Sequence, residues 1–516
     1  MSEKRTLKLI IPAIAILILG LAASAQSQGN GRSNGNDMWG SRYRIASRAR
    51  GSSGRHPSPR GEETLERMLH WNEIAINASG LDHTPVAIGE NRTFGEQLGP
   101  GRASRAMAIV HIAIFDAVNA IAGGYKSYTG IAPVHERTSM DAAIAQATHD
   151  TLVQLFPSQA ASFDQQLTQD LNNIPAGRAK DNGIDLGHRA AAAILAMRAA
   201  DGSQHAEPRL GIDFFTSLDV GKWRQDPISL IPLALGAHWG DVAPFVLQST
   251  HQFRTPPPPA LNSAEYAAAF NEVKRLGGDG IITPTERTPE QTQIATFWAY
   301  DGTPSLCAPP RMYNQLTVHI AEQRHTGVVE MARLLALVNT AMAEAGTSSW
   351  ESKFYYSFWR PITGIREADV GTGPTGVGDG NPATAGDVNF SPLGAPASNL
   401  TGPNFTPPFP AYPSGHATFG GALFQTLRNF YKTDHIPFTF VSDEFNGTTI
   451  DNSGNVRPLM PRSFKTLSQA EEENGQSRIY LGIHWAFDKT AGIAQGRSIA
   501  NYVFDHAFTP VRHNEH

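Results

Sequence analysis

A single cysteine, Cys307, is all that the 516 residues contain. No intramolecular disulfide can form and no cysteine-ligated metal cluster can be built, so an apolar core must hold the chain together. Cys307 itself reads as a packed or partly exposed thiol. Strict apolar–polar alternation over a strand length is missing, and so is any repeat at a fixed period. Charge is sparse: 17% of residues are Asp, Glu, Lys or Arg, and the net charge is -5. That balance gives no basis for a nucleic-acid partner, so any anion site has to come from local clustering of cations. The length is enough for two units or one large double domain.

What is present begins with an export pattern. Lys4, Arg5 and Lys8 precede an apolar run from Leu9 to Ala22, and Ala23-Ser24-Ala25 supplies small residues for cleavage. Residues 1–25 therefore read as a signal peptide. The run is short for a retained anchor, and a secreted or periplasmic protein without stable membrane insertion is the expectation. Residues 26–62, rich in Gly, Ser and Arg, read as a disordered linker. Beyond them the pattern is helical. Arg105–Ile121, Asp141–Phe156, Asp185–Ala200 and Ser263–Leu276 place apolar residues three and four apart. So do Thr288–Tyr300, Arg311–Arg324, Val328–Ala345, His416–Tyr431, Leu467–Leu481 and Asp488–Phe508. A break at Gly277–Pro284 divides an N-terminal helical domain, 63–285, from a C-terminal one, 286–516. The Gly- and Pro-rich stretch from Gly371 to Pro413 is too long to be a plain connection, and its aromatic, Pro-dense end is expected to pack over something.

Three short segments concentrate unusual residues. In the first, Lys353 and Arg360 are two turns apart on a helix, set among Phe354, Tyr355, Tyr356, Phe358 and Trp359. Alone, this reads equally as an amphipathic helix end with snorkelling cations. In the second, Pro413-Ser414-Gly415-His416 opens a helix. Ser414 is a candidate N-cap, and free N–H groups and the helix dipole favour an anion there. A capped helix with an incidental histidine fits as well. In the third, Arg478 and His484 are six apart, so they converge only across a helix end or kink, which Gly482 is placed to allow. Asp488 could fix the tautomer of His484, or the two could form an ordinary i,i+4 surface pair.

Taken in order, Lys…Arg-Pro, Pro-Ser-Gly-His and Ser-Arg-(five residues)-His resemble the three-part signature of the vanadium-dependent haloperoxidases and of the related type-2 phosphatidic acid phosphatases (the PAP2 superfamily). Further residues resemble the chloroperoxidase branch. Trp350 and Phe409 match the aromatic pair that lines the halide side, and Asp301 in Phe297–Gly302 matches an aspartate that pairs with the arginine corresponding to Arg478.

The resemblance implies an all-α fold of two packed four-helix-bundle-like units, with a vanadate site in the C-terminal bundle. It implies His484 as the vanadium ligand, and Lys353, Arg360, Ser414, Gly415 and Arg478 around the vanadate oxygens. His416 would be the acid–base group, and Lys353 would polarise peroxide for attack by halide. Hydrogen peroxide and chloride or bromide would be the substrates, hypohalous acid the product. The N-terminal unit would brace the second and is a candidate surface for a homo-oligomer. Two other readings share the pocket. In an exported acid phosphatase, His484 would attack phosphorus and His416 would protonate the leaving alcohol. A binding protein would keep the pocket without turnover.

Overall fold

Alanine-rich runs with few β-branched residues wind into thirteen α-helices among the residues that the structure, a computed structural model, describes: 60–511. The signal peptide expected at 1–25 and all but the last residues of the linker expected at 26–62 lie outside these. The first three residues of helix α1 (Arg60–Asp82) fall within the expected linker. It is followed by α2 (Gly99–Ala122), α3 (Met140–Leu155), α4 (Ala160–Asn172), α5 (Arg178–Arg198) and α6 (Ala264–Leu276). After these come α7 (Pro289–Phe297), α8 (Pro309–Gln323), α9 (Val328–Tyr356), α10 (Pro361–Arg366), α11 (Gly415–Tyr431), α12 (Leu467–Tyr480) and α13 (Ala486–His506). Two three-residue strands, β1 (Phe438–Phe440) and β2 (Arg462–Phe464), form one antiparallel pair. Their alternating burial is too short to show as a sequence period.

Five of the thirteen helices start on a Ser or Thr side-chain cap. The hydroxyls of Ser139, Ser263 and Thr466 accept backbone N–H groups at α3, α6 and α12, and Thr288 with Gln291 makes a capping box at α7. The 29-residue α9 is buried almost all round from Met331 to Lys353. Such a helix can only be the centre of a core, and it packs on α2 and α11. Helix α2 is long and apolar enough to cross a membrane, but 89% of its apolar window is buried inside this fold. The largest hydrophobic cluster takes residues from both expected halves, among them Phe115 and Trp239 from one and Leu335 and Phe419 from the other.

The structure corrects one sequence expectation that bears on the site. Lys353 and Arg360 do not share a helix. Helix α9 ends at Tyr356, Ser357 turns left-handed at φ 51°, and Phe358 pairs with Lys222 from the N-terminal half. Pro361 then opens α10, and the residue before a proline is driven to extended backbone, here Arg360 at ψ 156°.

Helices α11 and α13 touch through glycine. A Cβ at Gly496 would overlap Thr418 O and lie 2.7 Å from Ala422 N. Gly496→Ala should therefore force the helices apart and lower stability by about 1–3 kcal/mol. Urea denaturation followed by circular dichroism measures this, and an unchanged midpoint would show that the crossing is slack.

Candidate active site: a buried oxyanion pocket

The pocket is assembled at the N-termini of α11 and α13 and the C-terminal ends of α9 and α12. Ser414 caps α11, its hydroxyl oxygen accepting the Ala417 N–H at 3.4 Å, and its own N–H donates to Asp488 O at 3.0 Å. That bond ties the first turns of α11 and α13 together, so two sets of free N–H groups and two positive dipole ends face one region. Helix α12 stops at Tyr480, and Gly482 follows at φ 73°. A Cβ there would also overlap Gly277 O. This turn brings His484 back beside Arg478 across the helix end.

His484 is 2% exposed. Its Nδ1 lies 2.8 Å from Asp488 Oδ2, which also accepts the Trp485 N–H at 3.0 Å. A carboxylate cannot donate, so Nδ1 carries the proton and Nε2 keeps a lone pair. That lone pair accepts from Arg360 Nη1 at 2.9 Å. Burial, then Arg360, Lys353 and Arg478, hold the imidazole well below its usual pKa, and a neutral ring is the form that ligates metals. Burial pushes Asp488 up to about 7, against the Trp485 N–H, Lys353 and Arg360.

The cations are buried deeply: Lys353 is 0% exposed, and Arg360 and Arg478 are 1% exposed. Lys353 Nζ donates to Pro410 O at 2.9 Å, to Ala411 O at 3.0 Å and to Pro413 O. All three of its donors are thus taken by the Pro-rich segment, which packs over the cations. Arg360 donates through Nε to Phe409 O and through Nη1 to Ile483 O, both at 2.9 Å. Arg478 donates through Nη2 to Asp301 Oδ1 at 2.6 Å. Arg360 Nη2 and Arg478 Nε and Nη1 are buried with no partner. Each such donor costs about 1–3 kcal/mol if left unmade, so the arrangement asks for an oxyanion with several acceptor oxygens. Vanadate fits this donor set, because its tetrahedral oxygens accept in several directions and a neutral histidine nitrogen stands among the arginines. No cluster of three or more His, Cys, Asp or Glu side chains with metal-binding geometry occurs among the described residues.

His416 Nε2 lies 2.5 Å from Ala299 O and therefore donates to it, leaving Nδ1 as the nitrogen that can accept a proton. Burial, then Arg478, lowers its pKa well below the ordinary value, with further contributions from Lys353 and Arg360. Trp350 and Phe409 meet with ring centroids 4.8 Å apart, and Lys353 Nζ stands 5.6 and 5.2 Å from them. A Cβ at Gly415 would lie 3.2 Å from the Trp350 ring, so this helix start is close to the indole. Every site residue expected from sequence is thus brought to one buried region.

Sequence reasoning missed the residues that hold this region in place. Tyr300 has φ 46°, costly without glycine. It stands between Ala299, which holds His416, and Asp301, which holds Arg478. Glu444 Oε1 accepts the Tyr300 N–H at 3.3 Å, Ser442 Oγ donates to Phe297 O at 2.7 Å, and Tyr300 Oη accepts the Asp443 N–H at 2.6 Å. Ser398 from the long insert and Arg457 complete the Glu444 side. Asn474 Nδ2 donates to His416 O at 3.0 Å, with Tyr313 hydrogen-bonded to both. Asn474 was open to discovery, since it lies one turn before Arg478 on the same helical face. Nothing in the local sequence marks Glu444.

Fold and pocket together define a mostly helical protein built around a buried, basic oxyanion site. Comparison with known proteins narrows this. Residues 333–513 match the family description "VCPO second helical-bundle domain". The vanadium chloroperoxidase of Curvularia inaequalis is 30% identical, over 84% of this chain and 81% of that protein. The structure of the first bacterial vanadium-dependent iodoperoxidase superposes with a TM-score of 0.65 at 24% identity, covering 88% of this chain and 98% of the other. A holo-type bacterial vanadium-dependent chloroperoxidase superposes with a TM-score of 0.58 at 16% identity, covering 82% and 95%. The two structures share the fold. The chain belongs to the vanadium-dependent haloperoxidase family.

The Asp488–His484 bond gives a direct test of the pocket. Asp488→Asn keeps the shape but no longer enforces the Nδ1–H tautomer. Vanadate affinity, measured by isothermal titration calorimetry, should fall about 10–100-fold. An unchanged affinity would remove Asp488 from the site.

Proposed function

We propose that the protein is a vanadate-dependent haloperoxidase: hydrogen peroxide, a halide ion (chloride or bromide) and a proton give hypohalous acid and water. The observation that carries this reading is the set of unpartnered guanidinium donors, Arg360 Nη2 and Arg478 Nε and Nη1, beside the lone pair of His484 Nε2. The curated relative supports it. We also read the helices as two bundles divided near residue 285, with the pocket in the C-terminal one. In its favour, Lys353, Arg360, Ser414, Arg478 and His484 all fall within the matched residues 333–513.

The chemistry that vanadate supplies when bound is Lewis-acid activation of hydrogen peroxide without a change in its own oxidation state. His484, kept neutral and in one tautomer by Asp488, would hold it through Nε2. Arg360 and Arg478 would neutralise its oxygens through paired, charge-assisted donors, and the Ser414 hydroxyl and Gly415 N–H would add to them. Lys353 would polarise peroxide by exchanging one of its carbonyl partners for a peroxide oxygen. His416, with Nε2–H fixed on Ala299 O, has Nδ1 free to take a proton as peroxide arrives and return it to the departing product. Trp350 and Phe409 would keep water from the halide, which raises its reactivity.

The alternative, a phosphatase with His484 as nucleophile, is separated by one comparison. The vanadate-loaded protein should halogenate monochlorodimedone with peroxide and chloride or bromide. It should do so far faster than it hydrolyses p-nitrophenyl phosphate; efficient ester turnover without halide oxidation would sink the proposal. His484→Ala should abolish vanadate retention on gel filtration. His416→Ala should retain vanadate and lower kcat by about 10²–10⁴-fold, whereas equal loss of binding in both would refute the division of roles.

A further inference from the structure

One peptide group joins His416 to a buried carboxylate. The C=O of Ala299 accepts the His416 Nε2–H at 2.5 Å. The N–H of the same peptide, that of Tyr300, donates to Glu444 Oε1 at 3.3 Å. A peptide group is planar and stiff, so whatever fixes its N–H also aims its C=O. Donating to a carboxylate polarises the amide as well, which makes its oxygen a stronger acceptor.

Glu444 is 0% exposed. Its Oε2 accepts the Ser398 hydroxyl at 2.6 Å and a guanidinium N–H of Arg457. Every partner of the carboxyl is thus a donor, and donors favour its ionised form. Burial pushes its pKa up to about 7 against Arg457, Ser398 and the Tyr300 N–H, with Asp301 adding to the rise. The turn that carries Glu444 is fastened from outside the pocket. Asp443 Oδ2 accepts from Arg311 Nε at 3.1 Å and from Gln315 Nε2 at 2.9 Å, both on α8. Tyr300 does not supply this rigidity, since its φ of 46° is one that a bulky residue leaves unless held. A mere brace would need only an acceptor, which an amide oxygen supplies without the cost of burying an ion pair. Polarising the peptide needs the charge.

We propose that Glu444 is a positioning residue for catalysis: acting through the 299–300 peptide, it fixes the Nε2–H tautomer of His416 and so keeps Nδ1 as the proton acceptor. The carboxylate does not reach the reacting atoms; its influence runs from Glu444 through the peptide to the imidazole. An acceptor drawing on Nε2–H raises the basicity of the opposite ring nitrogen, where the proton is taken up. The kinetic consequence rests on the haloperoxidase reading, whereas the tautomer does not.

The test uses the full-length protein with Glu444→Ala, and with Glu444→Gln combined with Arg457→Met so that no guanidinium is left unpaired. Nitrogen NMR of histidine-labelled, vanadate-free protein at about pH 8, where Glu444 is ionised, reports the tautomer. The His416 signals are assigned by their loss in His416→Ala. The parent should show one tautomer, with Nε2 protonated, and Glu444→Ala should show both. The Gln/Met variant keeps an acceptor for the Tyr300 N–H but no charge. It should keep the tautomer, with the Nε2–H proton signal moved upfield as its hydrogen bond weakens. Its vanadate affinity by calorimetry should stay within about twofold of the parent, while kcat for bromide oxidation falls about three- to tenfold. In Glu444→Ala, kcat should fall about 10–100-fold. If Glu444→Ala does not fold, the parent and the Gln/Met variant decide. A parent with the His416 proton on Nδ1 overturns the proposal, and so does an unmoved Nε2–H signal or an unchanged kcat in the Gln/Met variant. A parent that oxidises no halide defeats the haloperoxidase reading instead, and the NMR signals then still judge Glu444.

Discussion

Three basic side chains, Lys353, Arg360 and Arg478, lie at 0–1% exposure and act on one another electrostatically, with Asp301 and Asp488 beside them and Asp226 also acting on Arg360. The medium resists these charges: burial first, and then Arg360, push Lys353 well below its ordinary pKa, and three guanidinium N–H groups of Arg360 and Arg478 have no partner. Burial lowers Arg360 to about 9, still charged at neutral pH. An oxyanion relieves this frustration, and much of the surrounding structure can be understood as holding the charges in place until one arrives.

Backbone carbonyls do most of that holding. Lys353 and Arg360 between them engage the carbonyls of Phe409, Pro410, Ala411, Pro413 and Ile483. A helix or strand spends its carbonyls on its own ladder, whereas a Pro-rich extended segment leaves them free. This explains why a long stretch without regular structure lies against the most buried charges. The left-handed Tyr300 between Ala299 and Asp301 is the matching device on the other wall, clamped by the Ser442–Glu444 turn.

Two contacts from the N-terminal half fix parts of the site in place. Residues 221–223 pair with 357–359 and so fix the turn that carries Arg360, and the 234–236 loop grips Trp350. Both contacts join segments more than a hundred residues apart; backbone N–H and C=O groups make the first, and in the second the Trp350 indole N–H donates to Leu235 O. No side-chain pattern advertises them. Glu444 escaped notice for a related reason: its value lies in accepting a backbone N–H from a strained residue 144 positions away.

The helices were legible because apolar spacing is a local property, and the cap expected at Ser414 acts within three residues of itself. The pocket's membership was legible because Lys353, Arg360, Ser414, Gly415, His416, Arg478 and His484 keep a distinctive order that resembles a known family. Their convergence was not legible, and the helix expected to join Lys353 to Arg360 is instead broken at Ser357. By itself, then, the sequence determined which chemical groups are present and which segments are helical, since both follow from near neighbours. Only the tertiary structure decided which donors of Arg360 and Arg478 stay free, which nitrogen of His484 carries its proton and what fixes the Trp350 ring. Those depend on hydrogen bonds between distant backbone and side-chain atoms, and such bonds exist only once the chain has packed.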